Sequence, residues 1–370
     1  MMTTSLRPEE TTTKILLSTP SYLVGNYEEE DFLLAIAFSN EHRYDPRNKE
    51  YFVLTVKTPP PKRSAGAVIP DYSGIGDVLS IYLSILYGKR FDNHGIIESV
   101  GLFRLPNYFY FNNYDPDLPF NNRKPRHDLE IPLSLRELKR IAPLLHEGEV
   151  DPRFDNFLIS AGRFYVHALQ HAETQPEVAF LDLITCGEIL SYFYEYDQDI
   201  LLDDEIKKDL IRIEKEINSG REIAKHIRNR LYSVKRRFVI TLHDLLNPYF
   251  FQQSEAKSKW ERLDENDIST RIKAAYDLRS KYVHSGVNFG RLVEPSGGRN
   301  NEIQVGEPVI DDPEFRKIIT RSPTLIGMER IMRFCLLRFM HTNGVFIDLK
   351  LEGRGLKMPE DATDDGLEQA

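Results

Sequence analysis

Ala274-Ala275-Tyr276-Asp277-Leu278-Arg279-Ser280-Lys281-Tyr282-Val283-His284-Ser285-Gly286 is the stretch around which the rest of the chain is read. Ile268, Ile272, Ala275 and Tyr282 recur at helical spacing, and Arg279 falls on the same stripe, an odd residue for a packing face. Asp267 is the expected N-cap. Gly286 suits the left-handed conformation that ends a helix, which leaves His284 in the last turn, where the negative end of the dipole favours imidazolium. On an ideal helix Arg279 and His284 stand about 7.5 Å apart in rise and roughly 140° apart around the axis. One permanent cation and one titratable group are therefore close without being stacked.

Moving towards the C-terminus, residues 285–308 are rich in Gly, Asn and Pro and read as a loop. Asp312-Pro313 and Ser322-Pro323 each open a further helix as cap and first-turn proline, the last running to about Asn343. Residues 351–370 read as a disordered acidic tail. Towards the N-terminus, apolar stripes predict helices over 154–171 and 176–194, the second with Glu188 embedded in it. A long charged segment, 202–231, is interrupted at Ser219-Gly220, and an apolar segment, 238–250, ends at Asn247-Pro248. The polar run Glu147-Gly148-Glu149-Val150-Asp151-Pro152 is the expected domain boundary.

The first 150 residues read differently. After a threonine-rich lead, short β-branched and aromatic segments at 14–18, 31–38 and 51–57 predict strands, ended by Pro59-Pro60-Pro61 and an exposed loop over 62–67. Leucines and isoleucines over 77–87 predict a buried helix stopping at Gly88. Gly74-Ile75-Gly76 does not make a phosphate loop, because Leu79 occupies the third glycine position. Residues 95–105 predict another strand, 107–122 an aromatic loop suited either to stacking on bases or to packing beneath its prolines, and Ser134 with Glu137 a capping box for a short helix to Leu145. The class is α+β: a mixed strand and helix domain over 1–150, of no recognised family and suited to sensing or regulation, then an all-α domain over 151–350.

Composition narrows the function. A chain of 370 residues with 41% apolar and 28% charged residues has room for two ordinary cores. No apolar run approaches the roughly 20 residues a bilayer requires, and the amino terminus has no signal-peptide core. Cys186 and Cys335 lack metal-ligand spacing and suit reduced core thiols, so a cytoplasmic protein without membrane contact is expected. A net charge of −9 argues against indiscriminate coating of nucleic acid while leaving room for a local basic groove.

An arginine, four residues and a histidine near the end of a helix in a helical domain resemble the R-x4-H signature of HEPN domains. The wording from Tyr276 to Gly286 is most similar to the ApeA-like branch, and the resemblance covers about residues 154–345. It implies an HEPN-like helical bundle and a homodimer in which two copies of the motif face one groove. It also implies an endoribonuclease that needs no metal or cofactor and leaves a 2′,3′-cyclic phosphate, in antiviral defence or as a toxin. In that reading Arg279 and His284 are catalytic, Ser280 occupies an often polar position that orients the site, and Glu188 holds the Arg279 guanidinium. The cations Arg228, Arg230, Lys235, Arg236 and Arg237 would track RNA phosphates, although Glu214, Glu216 and Glu222 nearby equally suit a solvated mixed-charge face.

The alternatives stay open at this stage. Arg279 also suits an ion pair across a bundle, with His284 as a helix cap, and HEPN-like modules also bind RNA, nucleotides or protein partners without cutting. His167 and His171 have i, i+4 spacing but no third metal ligand, and no nucleophile-elbow pattern supports acyl transfer.

Overall fold

The computed structural model describes residues 11–37, 49–59, 71–99, 101–106, 114–146, 148–230, 234–294 and 300–345. The expected N-terminal lead to residue 10, the 62–67 loop, the start of the aromatic loop and the acidic tail lie outside the described residues. Six antiparallel strands form the N-terminal sheet: β1 (Thr11–Thr19), β2 (Tyr27–Glu28), β3 (Phe32–Ile36), β4 (Glu50–Thr58), β5 (Asp92–Ser99) and β6 (Leu102–Phe103), in the order β2-β3-β4-β1-β5-β6. β1 and β4 pair along their whole length, from Thr11 opposite Thr58 to Thr19 opposite Glu50. Alternation along β4 sends Phe52, Leu54 and Val56 inward, the period of two that a sheet with one covered face requires. The single strand expected over 95–105 is instead a hairpin of β5 and β6 turning at Gly101, whose φ of 77° a glycine takes without strain.

Helix α1 (Ser73–Tyr87) packs on β1 and β5 and stops where expected, at Gly88 with φ 61°. Ser134 does accept from the Arg136 amide, but the segment it opens, Leu135–Leu144, is a 3-10 run with Pro143 inside it. The remainder is helical: α2 (Pro152–His171), α3 (Pro176–Phe193), α4 (Gln198–Leu201), α5 (Asp204–Glu216), α6 (Gly220–Arg230), α7 (Val234–Leu245), α8 (Pro248–Gln252), α9 (Ile268–Ser285), α10 (Gly290–Val293), α11 (Pro313–Arg321) and α12 (Leu325–Thr342). The class is therefore α+β, an antiparallel sheet followed by helices. Among the described residues no helix is long and apolar enough to cross a membrane.

Several helix starts follow the expected caps and others do not. Asp312 accepts from the Glu314 and Phe315 amides and starts α11 as anticipated. α12 is capped by Thr324, which accepts from the Gly327 amide, two residues beyond the Ser322-Pro323 start expected from the sequence. Asp267 precedes α9 but spends its carboxylate on Arg271, 2.8 Å away, and not on the helix amides. The loop expected over 285–308 contains the short helix α10.

Helix α12 runs through the middle of the molecule and carries four charged residues with it into the interior. Glu329, Arg330, Arg333 and Arg338 are all buried. Arg126 donates to both oxygens of Glu329, at 2.9 and 2.7 Å, and to Glu255 at 2.6 Å, while Tyr165 donates to Glu329 at 2.6 Å. Arg330 pairs with Glu302 at 2.9 Å, and Arg333 with Asp128 at 3.0 Å. Arg333 also donates to the carbonyls of Ile85 and Leu86, which would otherwise be orphaned at the end of α1. Burial would raise Asp128, but the guanidiniums of Arg126, Arg333 and Arg330 outweigh it and hold the group down at about 2. Burial moves Glu255 the other way, and the adjacent Asp128 adds to the rise against Arg126. Buried apolar side chains from the sheet, α1 and the later helices form one continuous cluster around this ionic centre.

Candidate functional site

Helix α9 is packed on α3, α7 and α11, and its burial follows Ile268, Ile272, Ala275 and Leu278. Arg279 follows Leu278 at the edge of that stripe and is half-buried. Its Nη2 lies 3.7 Å from Glu188 Oε2 on α3, and its guanidinium carbon is 5.7 Å from the centre of the Tyr276 ring. Tyr276 hydrogen-bonds Glu188 as well; burial first, then that carboxylate, pushes its hydroxyl up to about 12. Glu188 thus faces both a cation and a phenol. This is the pairing with Arg279 anticipated from the sequence.

His284 leaves the helix elsewhere. The αL turn at Gly286, with φ 65°, ends α9 and leaves His284 exposed in the last turn. With Ser280, one turn earlier on the same face, it lines a cleft of about 650 Å³ between α9 and α11. Lys273 and Lys281 line it from α9, and Lys317 and Arg321 from α11. Two carboxylates enter the same cleft, each with a partner: Asp277 pairs with Lys235 of α7, and Glu314 sits 2.8 Å from Lys281, whose ammonium it holds above its ordinary value. The balance is cationic, which suits a phosphate-bearing ligand.

Arg279 is not among the residues lining this cleft. It precedes Ser280 by one residue and so by roughly 100° of helical turn, which directs it towards α3. The sequence-derived pair therefore shares a helix without sharing a pocket within one chain.

The proposed phosphate track is occupied by internal partners where it is described. Lys235 is held by Asp277, Arg236 lies 2.7 Å from Asp203, and Arg237 donates to the Tyr194 carbonyl at 3.3 Å while covering the Tyr192 ring. Arg228 and Arg230 belong to α6, but their side chains lie outside the described residues. The cleft cations Lys273, Lys317 and Arg321 were missed by sequence reasoning. The signal was the basic face of the short amphipathic helix 313–321, which the charge runs near residue 230 overshadowed. His171, expected to lack a metal set, lies 3.3 Å from Asp182.

Compared with protein-family models, with curated proteins and with solved structures, the chain finds no match in any of the three.

Proposed function

We propose that this chain is an endoribonuclease of the HEPN type, acting as a cytoplasmic homodimer in defence or as a toxin. The observation that carries the reading is an exposed imidazole, His284, in a cationic cleft, on the helix that also carries Arg279, 3.7 Å from the half-buried Glu188 carboxylate. A histidine titrates close to working pH and so can take and return a proton. In the dimer, one His284 accepts the 2′-hydroxyl proton as the 2′-oxygen attacks phosphorus. The partner's His284, as imidazolium, gives its proton to the departing 5′-oxygen. The Arg279 guanidiniums, which lie outside each chain's own cleft, stabilise the phosphorane charge that develops between these steps only where the dimer brings the two α9 helices to one groove. The products are a 2′,3′-cyclic phosphate and a free 5′-hydroxyl, with no net gain or loss of protons. Ser280, beside His284, is placed to orient the imidazole or the phosphate.

A second reading is a non-catalytic HEPN-like module that binds RNA, a nucleotide or a protein through the same cleft. The direction of Arg279, towards Glu188 and away from the cleft, favours it. The two are separated by incubating purified chain with single-stranded RNA in excess chelator. Cleavage that falls by at least about 100-fold in His284→Ala, with the melting temperature kept, supports the nuclease. RNA binding that survives the same change without any cleavage supports the module.

A further inference from the structure

A second cavity, of about 370 Å³, lies between α1 and α2 at the start of β5, and it shares no described lining residue with the α9–α11 cleft. Asp77, Ser80 and Ile81 line it from one face of α1, and Arg163 and Val166 from one face of α2. Ile81, Phe91 and Val166 are 2%, 0% and 7% exposed, so part of the lining is apolar and well inside the fold. The two helices also bring opposite charges to the cavity, and these do not meet. Asp77 accepts from Asn93 Nδ2 at 2.8 Å and makes no ion pair among the described residues; neither does Arg163. His167, the other titratable group at the cavity, packs its ring against Phe164 and His171.

A third polar group is unpartnered inside the fold. Ser80 is only 3% exposed and its hydroxyl has no hydrogen-bond partner, a cost that folded chains ordinarily avoid. The frame around it is held in place. Asn93 Nδ2 also donates to the Ser73 carbonyl at 3.2 Å, and Asn93 Oδ1 accepts from the Gly95 amide at 2.9 Å. A Cβ on Gly76 would stand 2.7 and 2.8 Å from these two side-chain atoms, so α1 rests directly on the Asn93 amide. At Gly162 the absence of a side chain lets α2 close on Ile81 in the same way. One guanidinium and one carboxylate give the lining no excess charge, so a phosphate dianion drawn to Arg163 would also face Asp77. The volume falls within the range of small-ligand sites. A ligand that answers all three unpartnered groups carries a carboxylate, an ammonium and an apolar body with one polar edge.

We propose that this cavity binds a free aromatic α-amino acid, its ring against Ile81, Phe91 and Val166, a polar ring edge at the Ser80 hydroxyl, its carboxylate on Arg163 and its ammonium on Asp77. The assignment is independent of the nuclease reading, since none of these residues belongs to the His284 cleft. Calorimetric titration of the full chain with tryptophan, tryptamine and indole-3-propionate tests it. Tryptophan should bind saturably, about tenfold or more tighter than tryptamine, which lacks the carboxylate, and than indole-3-propionate, which lacks the ammonium. Arg163→Gln should abolish the first preference and Asp77→Asn the second. Both side chains are exposed, so circular dichroism should be unchanged. Ser80→Ala should weaken tryptophan about threefold or more and leave phenylalanine, which has no polar ring edge, unaffected. Its melting temperature should stay level or rise, because the change deletes an unpartnered hydroxyl. His284→Ala should leave the binding intact. Absence of saturable heat with tryptophan and phenylalanine up to about 10 mM would overturn the inference. So would binding of either truncated indole as tight as that of tryptophan, or tryptophan binding that Arg163→Gln and Asp77→Asn both spare.

Discussion

Arg279 Nη2 stands 3.7 Å from Glu188 Oε2, joining the motif helix α9 to α3 through a pair only 30% and 16% exposed. The contact is longer than a good hydrogen bond and screened on one side, so its net stabilising effect is small, within about 1 kcal/mol. Its consequence is orientation. Glu188→Gln keeps an acceptor in place but removes the charge that holds the guanidinium. The expected outcome is a loss of RNA cleavage of about 10-fold to 100-fold with a nearly unchanged melting temperature. A merely structural pair would show the reverse pattern, a lowered melting temperature without a kinetic effect.

The ionic centre around α12 behaves differently because water does not reach it. Glu329 satisfies Arg126 through both oxygens and Tyr165 through one of them. Glu329→Gln removes the carboxylate that meets the buried Arg126 guanidinium through both oxygens, leaving only Glu255 and Asp128 beside it, and an unfolding free energy lowered by about 3 kcal/mol is expected in urea titrations. Arg126→Met combined with Glu329→Leu and Glu255→Gln, which removes the guanidinium together with both carboxylates it donates to, should recover much of that loss.

Acid stability follows from the same centre. Asp128 has a folded-state pKa of about 2, below its unfolded value near 4, so its contribution is complete above about pH 4. That contribution disappears as pH falls from about 4 to about 2. Glu255 is raised and carries the opposite sign: its contribution is present below its unfolded value and declines as pH rises through its folded one. Asp128→Asn should therefore flatten the acid limb of the stability curve, and Glu255→Gln should flatten the limb above it, as read by denaturant titration across pH.

Val283, 53% exposed, flanks His284 at the end of α9, and in the proposed dimer it would be an apolar contact beside the imidazole. Light scattering is expected to report a dimer for the unaltered chain. Val283→Asp should shift it towards monomer and lower cleavage in parallel, whereas full activity from the monomer would contradict a composite site.

The motif helix was legible in the sequence because its signals are local. The apolar spacing from Ile268 and the glycine at 286 fixed α9 to within a residue, and Gly88 and Asp312 marked the ends of α1 and α11 in the same way. The roughly 140° between Arg279 and His284 also followed from helical geometry. Which neighbour His284 would face did not, since the α11 cations lie in another element, and Glu188 as the partner of Arg279 came only with the HEPN resemblance. The interior charges were the least legible. Glu329 and Arg126 are 203 residues apart, and a charged residue in a helix ordinarily signals a face turned to water. Only the three-dimensional neighbourhood shows that α12 buries its charges against partners from distant loops. Similarly, nothing local assigns Lys235 to Asp277 or Arg236 to Asp203, so the described part of a basic run that suited either a phosphate track or a solvated face, Lys235 to Arg237, has internal partners.

The most direct test of the proposed chemistry is the identity of the ends left on RNA by the full chain in the presence of chelator, resolved by mass spectrometry. The account predicts 2′,3′-cyclic phosphates with matching 5′-hydroxyls, both absent when His284→Ala replaces the original chain. Intact RNA, ends bearing 5′-phosphate, or the same products from the His284→Ala chain would contradict it.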